Sequence, residues 1–111
     1  MPQITWPDFE KIEIRTGTIL QADEFPKARK PAFRLTIDFG DEGIKRSSAQ
    51  ITHHYSTANL VGQQVVAVVN FPPKQIAGFI SECLVLGVYD ENGEVVLLQP
   101  HKHVGNGLKI G

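Results

Sequence analysis

Residues 12–19, with the sequence IEIRTGTI, decide the fold. Ile12 and Ile14 lie on one face of an extended strand, whereas Ile19 lies on the other, because side chains alternate along a strand with a period of two. Gly17 stands where this parity changes, and a bulge or sharp bend there would let one long strand serve two faces of a sheet. The segment therefore predicts a bent first strand with the bend at Gly17.

A period of two continues along the chain and predicts the remaining strands. The clearest case is the segment FRLTIDF, in which four apolar residues alternate with Arg34, Thr36 and Asp38. The segment QVVAVVNF is apolar on both faces, which is typical of a central buried strand. The sequence DENG at residues 90–93 predicts a turn that joins the last two extended segments. The predicted segments are 33–39, 43–49, 64–71, 83–89 and 94–98.

One stretch, from Ser56 to Val61, is predicted to be helical, with Ser56 as its N-cap and Gly62 as its terminator. It lies between the third and fourth strands. An all-β chain with five strands, a bent first strand and one short helix after the third matches the ground plan of an OB-fold, a small, partly open barrel. An SH3-like barrel or a small sandwich also fits the strand pattern.

Length and composition indicate one globular domain. The chain has 111 residues, of which 41% are hydrophobic and 21% charged, and domains commonly have about 100–150 residues. No apolar run approaches the roughly 18 residues that a membrane span needs, so no membrane insertion is expected. The N-terminus lacks the features of a signal peptide, and the single cysteine, Cys83, cannot form an internal disulfide. These features predict a cytoplasmic protein.

Positive charge is concentrated in the middle of the chain, although the net charge is only −1. Six basic residues lie between residues 27 and 46, where only three acidic residues oppose them. An anion-binding face is therefore expected from this part of the chain.

Four segments carry a resemblance to a known family. They are IRTGTI at 14–19, FPKARKP at 25–31, SSAQIT at 47–52 and VAVVNFPPKQIAGF at 66–79. Through them the chain resembles the tRNA-binding OB domains, which occur appended to methionyl-tRNA synthetases and as free-standing dimers. It is most similar to a branch of secretion chaperones. The resemblance extends over about residues 12–110 and implies one tRNA-binding-type OB domain spanning residues 1–111.

The segment after the fourth strand departs from the RNA-binding pattern. In the RNA-binding members it has a form similar to Asn-Leu-Lys-Pro-x-Lys-Met-Arg-Gly-x-x-Ser. The frame is kept here by Asn70, Pro73, Gly78 and Ser81. Where those members have lysine or arginine, this chain has Pro72, Gln75 and Ala77. Phosphate contacts supply much of the affinity for nucleic acids, so the resemblance implies weakened tRNA binding. It favours a homodimeric chaperone that binds unfolded polypeptides or preproteins, with the secretion machinery as a further partner. The alternative is a tRNA-binding OB module, either free-standing or associated with a synthetase.

Candidate residues for RNA or an acidic ligand come from the basic region. Cations interleaved with Phe25 and Phe33 are the mixture that single-stranded nucleic-acid grooves use. Alternatively, the basic residues lie in a solvated loop before a strand, and Phe33 belongs to the core. The basic candidates are Lys27, Arg29, Lys30, Arg34, Lys45, Arg46 and Lys74. The resemblance adds Asn70 and Ser81.

Candidate residues for a polypeptide ligand surround Pro72 and Pro73. Exposed apolar side chains there would mark a protein-binding surface, whereas inward packing would make them part of the core. The candidates are Phe33, Phe71, Ile76 and Phe79.

No catalytic, metal or cofactor site is predicted. The pairs His53-His54 and His101-x-His103 have no neighbouring cysteine or carboxylate, and metal sites need three or four convergent ligands. Cys83 opens an apolar run, where an inert buried thiol is expected. No nucleophile-elbow or phosphate-loop motif is present. The sequence therefore predicts a binding protein and not an enzyme.

Apolar residues at both ends lie outside the five predicted strands. They are Trp6, Phe9, Val104, Leu108 and Ile110. Two-fold dimers are the commonest oligomers, so segments 1–9 and 100–111 are expected to contribute to a homodimer interface.

Overall fold

A five-stranded antiparallel sheet forms the body of the computed structural model, which describes all of residues 1–111. Its strands are β1 (Ile14–Glu24), β2 (Phe33–Asp38), β3 (Ile44–Ala49), β4 (Gln64–Val68) and β7 (Leu84–Val85), in the spatial order β3-β2-β1-β4-β7. Two hairpins pair β5 (Lys74–Ile76) with β6 (Phe79–Ser81) and β8 (Gly87–Tyr89) with β9 (Val95–Leu97). The helices are α1 (Trp6–Glu10), α2 (Thr57–Leu60) and a 3-10 turn at Gly40–Glu42.

The sheet curls until its two edges nearly meet, because β3 contacts the segment that leads into β7. Glu82 N–H donates to Arg46 O at 2.8 Å, and the Ser47 hydroxyl donates to Cys83 O at 2.9 Å. The predicted OB-fold is confirmed, with its short helix between β3 and β4. None of the helices is long and apolar enough to cross a membrane.

Strand β1 does serve two neighbours, but the predicted position of its irregularity is wrong. Residues Ile14–Thr18 pair with β4, and the strand pairs with β2 from Thr18 to Glu24. The shift in register lies between Ile19 and Gln21, and not at Gly17. A Cβ atom on Gly17 would lie 2.7 Å from Ile37 Cγ2 and 2.7 Å from Phe39 Cε1. Gly17 is therefore required for close packing against the core.

Replacing Gly17 with alanine is expected to destabilise the fold by about 1–3 kcal/mol, the usual cost of overpacking a core. Urea unfolding followed by circular dichroism measures the change. Gly105→Ala is the matched control, because nothing lies within 4 Å of its Cβ position and no positive φ is recorded there. Equal stabilities for the two variants would contradict this explanation of Gly17.

The core lies inside the barrel. β4 is buried along its whole length, as its sequence predicts, but it ends at Val68 rather than at residue 71. The predicted strand over 83–89 is split, because β7 pairs with β4 whereas β8 pairs with β9. The ten core residues are Ile19, Phe33, Leu35, Ile37, Phe39, Ile51, Leu60, Val65, Ala67 and Cys83.

Both chain ends are ordered against the body of the protein. A capping box between Thr5 and Asp8 starts α1, a helix that the sequence analysis did not predict. The C-terminal segment runs along β1, where Thr16 N–H donates to Leu108 O at 3.0 Å and Ile110 N–H donates to Ile14 O at 2.9 Å. The predicted helix at 56–61 is present as α2, with Ser56 as its N-cap.

Candidate functional site

The segment after β4 forms a hairpin that packs outside the barrel. β5 and β6 are joined at Ala77 and Gly78, whose φ values are +48° and +82°, and two-residue hairpin turns commonly need positive φ at both positions. The hairpin meets the loop between β1 and β2. Phe25, Ala32 and Phe79 form a small buried cluster at this contact, which we call the outer cluster.

Two arginines stack on the rings of the outer cluster. The Arg34 Cζ lies 5.5 Å from the ring centroid of Phe25, and the Arg46 Cζ lies 4.4 Å from that of Phe79. The two ring centroids are 5.4 Å apart. The four side chains thus form a continuous ladder of cation, ring, ring and cation, in which each guanidinium is attracted to a ring face.

The register of β2 and β3 explains why both arginines reach this ladder. Arg34 is opposite Ser48, and Arg46 is opposite Thr36, so both arginines lie on the outer face of the barrel. Residues of the opposite parity, such as Leu35 and Ser47, are buried inside it. The alternation seen in the sequence therefore positions the two cations.

A cleft of about 570 Å³ opens over the ladder, and we call it the arginine cleft. It lies between the loop after β1 and the hairpin after β4, which is where OB-folds commonly bind their ligands. Its lining includes three cations and one carboxylate. The lining residues are Phe25, Pro26, Lys27, Arg34, Arg46, Ala77, Gly78, Phe79, Ile80 and Glu82.

The cations of the arginine cleft keep most of their hydrogen-bonding capacity. Arg34 Nε donates to Glu24 O at 3.0 Å, whereas its terminal nitrogens have no partner in the chain. Neither Lys27 nor Arg46 donates a side-chain hydrogen bond, and none of the three forms an ion pair. Glu82 Oε1 accepts from the Arg46 backbone N–H at 3.1 Å. The cleft therefore presents unneutralised guanidinium donors beside apolar surface, a combination suited to an anionic group next to an apolar one.

The other basic candidates do not converge on this cleft. Arg29 lines a neighbouring depression of about 390 Å³, and Lys30 lines a third one. Lys45 follows the inward parity of β3 and shares its side with Ser47. Lys74 is exposed on β5 and lines none of these depressions. The predicted anion-binding set is thus divided, and Lys27, Arg34 and Arg46 form its cluster.

Asn70 and Ser81 are engaged within the protein. Asn70 Nδ2 donates to Lys11 O at 2.7 Å, and its Oδ1 accepts from Glu13 N–H at 3.0 Å. Ser81 Oγ accepts from Ser48 N–H at 3.2 Å. Asn70 fastens the N-terminal segment to the end of β4, and Ser81 fastens the hairpin to β3.

The apolar candidates differ in exposure. Phe33 is 4% exposed and lies in the main core, so it has no surface to offer a ligand, contrary to the prediction that it contacts a polypeptide. Phe79 is 6% exposed and serves as the base on which Arg46 stacks. Ile76 packs half-buried against the outer cluster. Phe71 is 53% exposed but does not line the arginine cleft.

Six of the ten lining residues were not candidates in the sequence analysis, and Ile80 and Phe25 are the two of them with large apolar side chains. Ile80 is 47% exposed at the cleft, and Phe25 was considered only as a possible nucleic-acid stacking residue. The hairpin was missed because Ala77-Gly78 is a weaker turn signal than Asn-Gly. Residues 74–76 and 79–81 flank Ala77-Gly78 as two short strands of a hairpin would. Recognition of that hairpin from the sequence could have located Ile80.

Cys83 and Asp90, which lie outside the arginine cleft, have shifted pKa values. Burial raises the pKa of the Cys83 thiol to about 11, so the thiol stays protonated near neutral pH. His54 Nε2 lies 2.7 Å from Asp90 Oδ2, and this hydrogen bond, with backbone N–H donors, lowers the pKa of Asp90. Asp90 also accepts from Asn92 N–H and Glu94 N–H and thereby holds the turn between β8 and β9. No group of three or more histidine, cysteine or acidic side chains converges as a metal site would require.

Comparison with protein families shows which family the chain belongs to. Residues 14–109 match the model of the tRNA binding domain. The chain belongs to the tRNA-binding domain family. The match covers all five strands of the barrel sheet and the hairpin that forms the arginine cleft.

Solved structures that are similar to this chain include chaperones. Chaperone CsaA from Bacillus anthracis str. Ames has a TM-score of 0.94 and 55% sequence identity, over 99% of this chain and 100% of that one. The CsaA chaperone protein from Picrophilus torridus has a TM-score of 0.91 and 52% identity, over 98% and 100%.

Curated relatives include methionine–tRNA ligases. That of Methanocaldococcus jannaschii is 34% identical over 110 residues, which are 99% of this chain and 17% of the ligase. The chain therefore spans about a sixth of the ligase's length.

Proposed function

We propose that the chain is a chaperone that binds non-native or export-destined polypeptides in the cytoplasm as a homodimer, without a nucleotide. The observation that carries the proposal is the arginine cleft, in which two guanidinium groups with unpaired terminal nitrogens stack beside apolar side chains. The similarity to CsaA chaperones over the full length of both chains supports it.

The chemistry of the cleft suits polypeptide segments with acidic and apolar residues side by side. Ile80 offers exposed apolar surface at its rim, and burial of such surface contributes roughly 25 cal/mol per Å². Arg34 and Arg46 provide donors for a carboxylate, which guanidinium groups bind in a bidentate manner. Stacking on the rings restricts both arginines before a ligand arrives, so less conformational entropy is lost on binding.

The alternative is a tRNA-binding module, which the family match favours. Lys27, Arg34 and Arg46 would then contact phosphates. The β5–β6 hairpin would have to supply further phosphate contacts, but its single basic residue is Lys74, which lies outside the cleft. Since each phosphate contact adds to the affinity, a three-cation cleft is a weak RNA site and we favour the polypeptide.

Ile80→Ala tests the apolar part of this proposal. We expect suppression of the aggregation of an unfolded client to require about tenfold more protein, because roughly two buried methylene groups contribute about 0.8 kcal/mol each. The loss should vary little with salt. Leu20→Ala is the matched control, since Leu20 is 46% exposed and lines none of the three depressions. Equal effects of the two substitutions would argue against the arginine cleft as the client site.

The proposed dimer would use the chain ends. Ile4 is 69% exposed and Trp6 65% exposed, and together with Phe9 and Gly111 they line one depression where both ends of the chain meet. Leu108 adds a further apolar side chain that is 49% exposed. A two-fold partner would remove this apolar surface from water.

Deleting residues 1–9 is expected to shift the protein from dimer towards monomer in sedimentation velocity at micromolar concentration. The deletion removes Ile4, Trp6 and Phe9, whereas the barrel sheet begins at Ile14. Circular dichroism of the truncated protein checks that the barrel remains folded. A full-length chain that already sediments as a monomer would disprove the proposed dimer.

A further inference from the structure

The barrel has an open seam farther along β3 from the arginine cleft. A groove of about 670 Å³ runs between the end of β3, with the turn that follows it, and β7 together with the β8–β9 hairpin. We call it the seam groove. It is larger than the arginine cleft, and none of its lining residues lines that cleft.

One lip of the seam groove has unused backbone hydrogen-bonding groups. Along β3, the backbone groups of Arg46 and the N–H of Ser48 point away from β2, to the free edge of the strand. There they form hydrogen bonds with Glu82 and Ser81. Alternate residues of a strand point their backbone groups to the same edge. Continuing the parity of β3 by one residue beyond its end at Ala49 assigns those of Gln50 to this edge. No partner for the N–H or C=O of Gln50 exists in the chain. An open strand edge therefore continues past the last closing contact.

The facing lip has the same property. Leu86 N–H donates to Val66 O at 2.9 Å, which sets the alternation of the strand beside β4. The N–H and C=O of Val85 consequently point away from β4, towards the groove. Exposed edges of this kind pair readily with an additional strand.

Apolar side chains flank these backbone groups. Leu84 is 48% exposed and Tyr89 is 79% exposed, and Val95 lies half-buried between the groove and the core. The charges nearby are mixed, because both Lys30 and Glu94 line the groove. A nucleic-acid backbone would find little positive charge here, whereas a polypeptide finds donors, acceptors and apolar surface.

We propose that the seam groove binds an extended polypeptide segment by adding it as a strand along the edge of β3, with Gln50 and Val85 supplying backbone hydrogen bonds. Such strand addition derives affinity from main-chain bonds and takes its specificity from alternate side chains. This inference rests on the proposed polypeptide-binding function. It assigns that function a second site, which accepts many sequences because it binds the backbone.

The two sites lie on one path along the surface. A depression between them shares Phe25 and Pro26 with the arginine cleft, and it shares Pro31 and Thr52 with the seam groove. A single extended client can therefore occupy both sites, with an acidic residue at the arginines and its continuation along β3. Linking two weak contacts on one chain raises the overall affinity.

The test uses a fluorescein-labelled peptide of about ten residues with alternating valine and glutamate, long enough for a strand that rises about 3.3 Å per residue. Gln50→Pro removes the backbone N–H at an edge, where proline is tolerated. Gln50→Ala measures the effect of the side chain alone. We expect Gln50→Pro to bind the peptide about threefold to tenfold more weakly than Gln50→Ala, the loss typical of one hydrogen bond.

A second measurement uses the unaltered protein, so it does not depend on the folding of a variant. N-methylation of every second amide removes donors along one edge of the peptide and keeps its side chains. We expect one of the two N-methylated series to bind at least about tenfold more weakly, since it loses several main-chain bonds.

The outcomes separate the two proposals. Unchanged affinity in both measurements, with binding still lost on charge reversal of Arg34 and Arg46, would overturn the seam groove and leave the proposed function standing. A peptide that fails to bind the unaltered protein would overturn both. If a labelled uridine oligonucleotide binds and loses affinity in Gln50→Pro while the peptide does not, the occupant is RNA and the inference is wrong.

Discussion

Reversing the charge of both ladder arginines, in Arg34→Glu/Arg46→Glu, is expected to weaken the binding of an acidic client peptide at least about 100-fold. Each guanidinium has free donors and no ion pair in the chain. Hydrogen bonds to charged groups contribute about 1.5–3 kcal/mol each, and about 1.4 kcal/mol corresponds to a tenfold change. Fluorescence anisotropy of a labelled peptide measures the affinity.

The control for this experiment is Lys74→Glu/Lys102→Glu, which changes the net charge by the same amount at two exposed lysines. Both lysines lie outside the arginine cleft. The control therefore reports the effect of net charge alone, and we expect it to be less than about threefold at physiological salt, where exposed charges are screened beyond about 8 Å. A loss equal to that of the arginine variant would show that the peptide responds to overall charge and not to this cleft.

Replacing Phe39 with alanine is expected to lower the free energy of unfolding by about 3–5 kcal/mol. Phe39 is 0% exposed, packs in the main core and occupies the space that the missing side chain of Gly17 leaves open. A chain of this size typically has a total stability of only about 5–15 kcal/mol. Urea unfolding at 25 °C measures the difference.

Phe71→Ala makes the same chemical change at a phenylalanine that is 53% exposed. Substitutions on the surface usually change stability by less than about 0.5 kcal/mol, so we expect a loss well below that of Phe39→Ala. Comparable losses in the two variants would contradict the assignment of Phe39 to the main core.

The strand framework could be predicted because burial follows alternation closely. β2 has the strict pattern of buried and half-buried residues that FRLTID predicts, and β4 is buried throughout. Ser56 also identified the start of α2, because its side chain accepts the hydrogen bond that the first turn needs. These features depend on residues near one another in the sequence.

Features that depend on distant residues could not be predicted. The sequence shows that Gly17 is unusual, but its reason lies in Ile37 and Phe39, which reach it only in the folded sheet. The sequence left open whether Phe79 is exposed or packs inward, and the hairpin turns its ring onto Phe25. To predict that Phe79 is buried in the outer cluster, one must know that the hairpin packs against the loop between β1 and β2.

The candidate site was predicted in part for the same reason. Lys27, Arg34 and Arg46 were recognised from charge, and the structure brings them together in the arginine cleft. Charge alone did not separate them from Lys45, whose position depends on strand parity, or from Lys74, whose position depends on the hairpin. Local charge density in the sequence identified the region. Which of its cations line the arginine cleft depends on the strand register and the hairpin of the folded chain.

The most direct test of the arginine cleft as a polypeptide site compares two ligands at two salt concentrations. Suppression of the aggregation of an unfolded client is measured beside a tRNA mobility shift, at about 50 and 200 mM salt, a range over which six to ten phosphate contacts would cost about 10³- to 10⁵-fold in affinity. We predict suppression at both concentrations, abolished by Arg34→Glu/Arg46→Glu, and weak tRNA binding. Tight, steeply salt-dependent tRNA binding with no effect on aggregation would contradict the proposed function and identify the chain as an RNA-binding module.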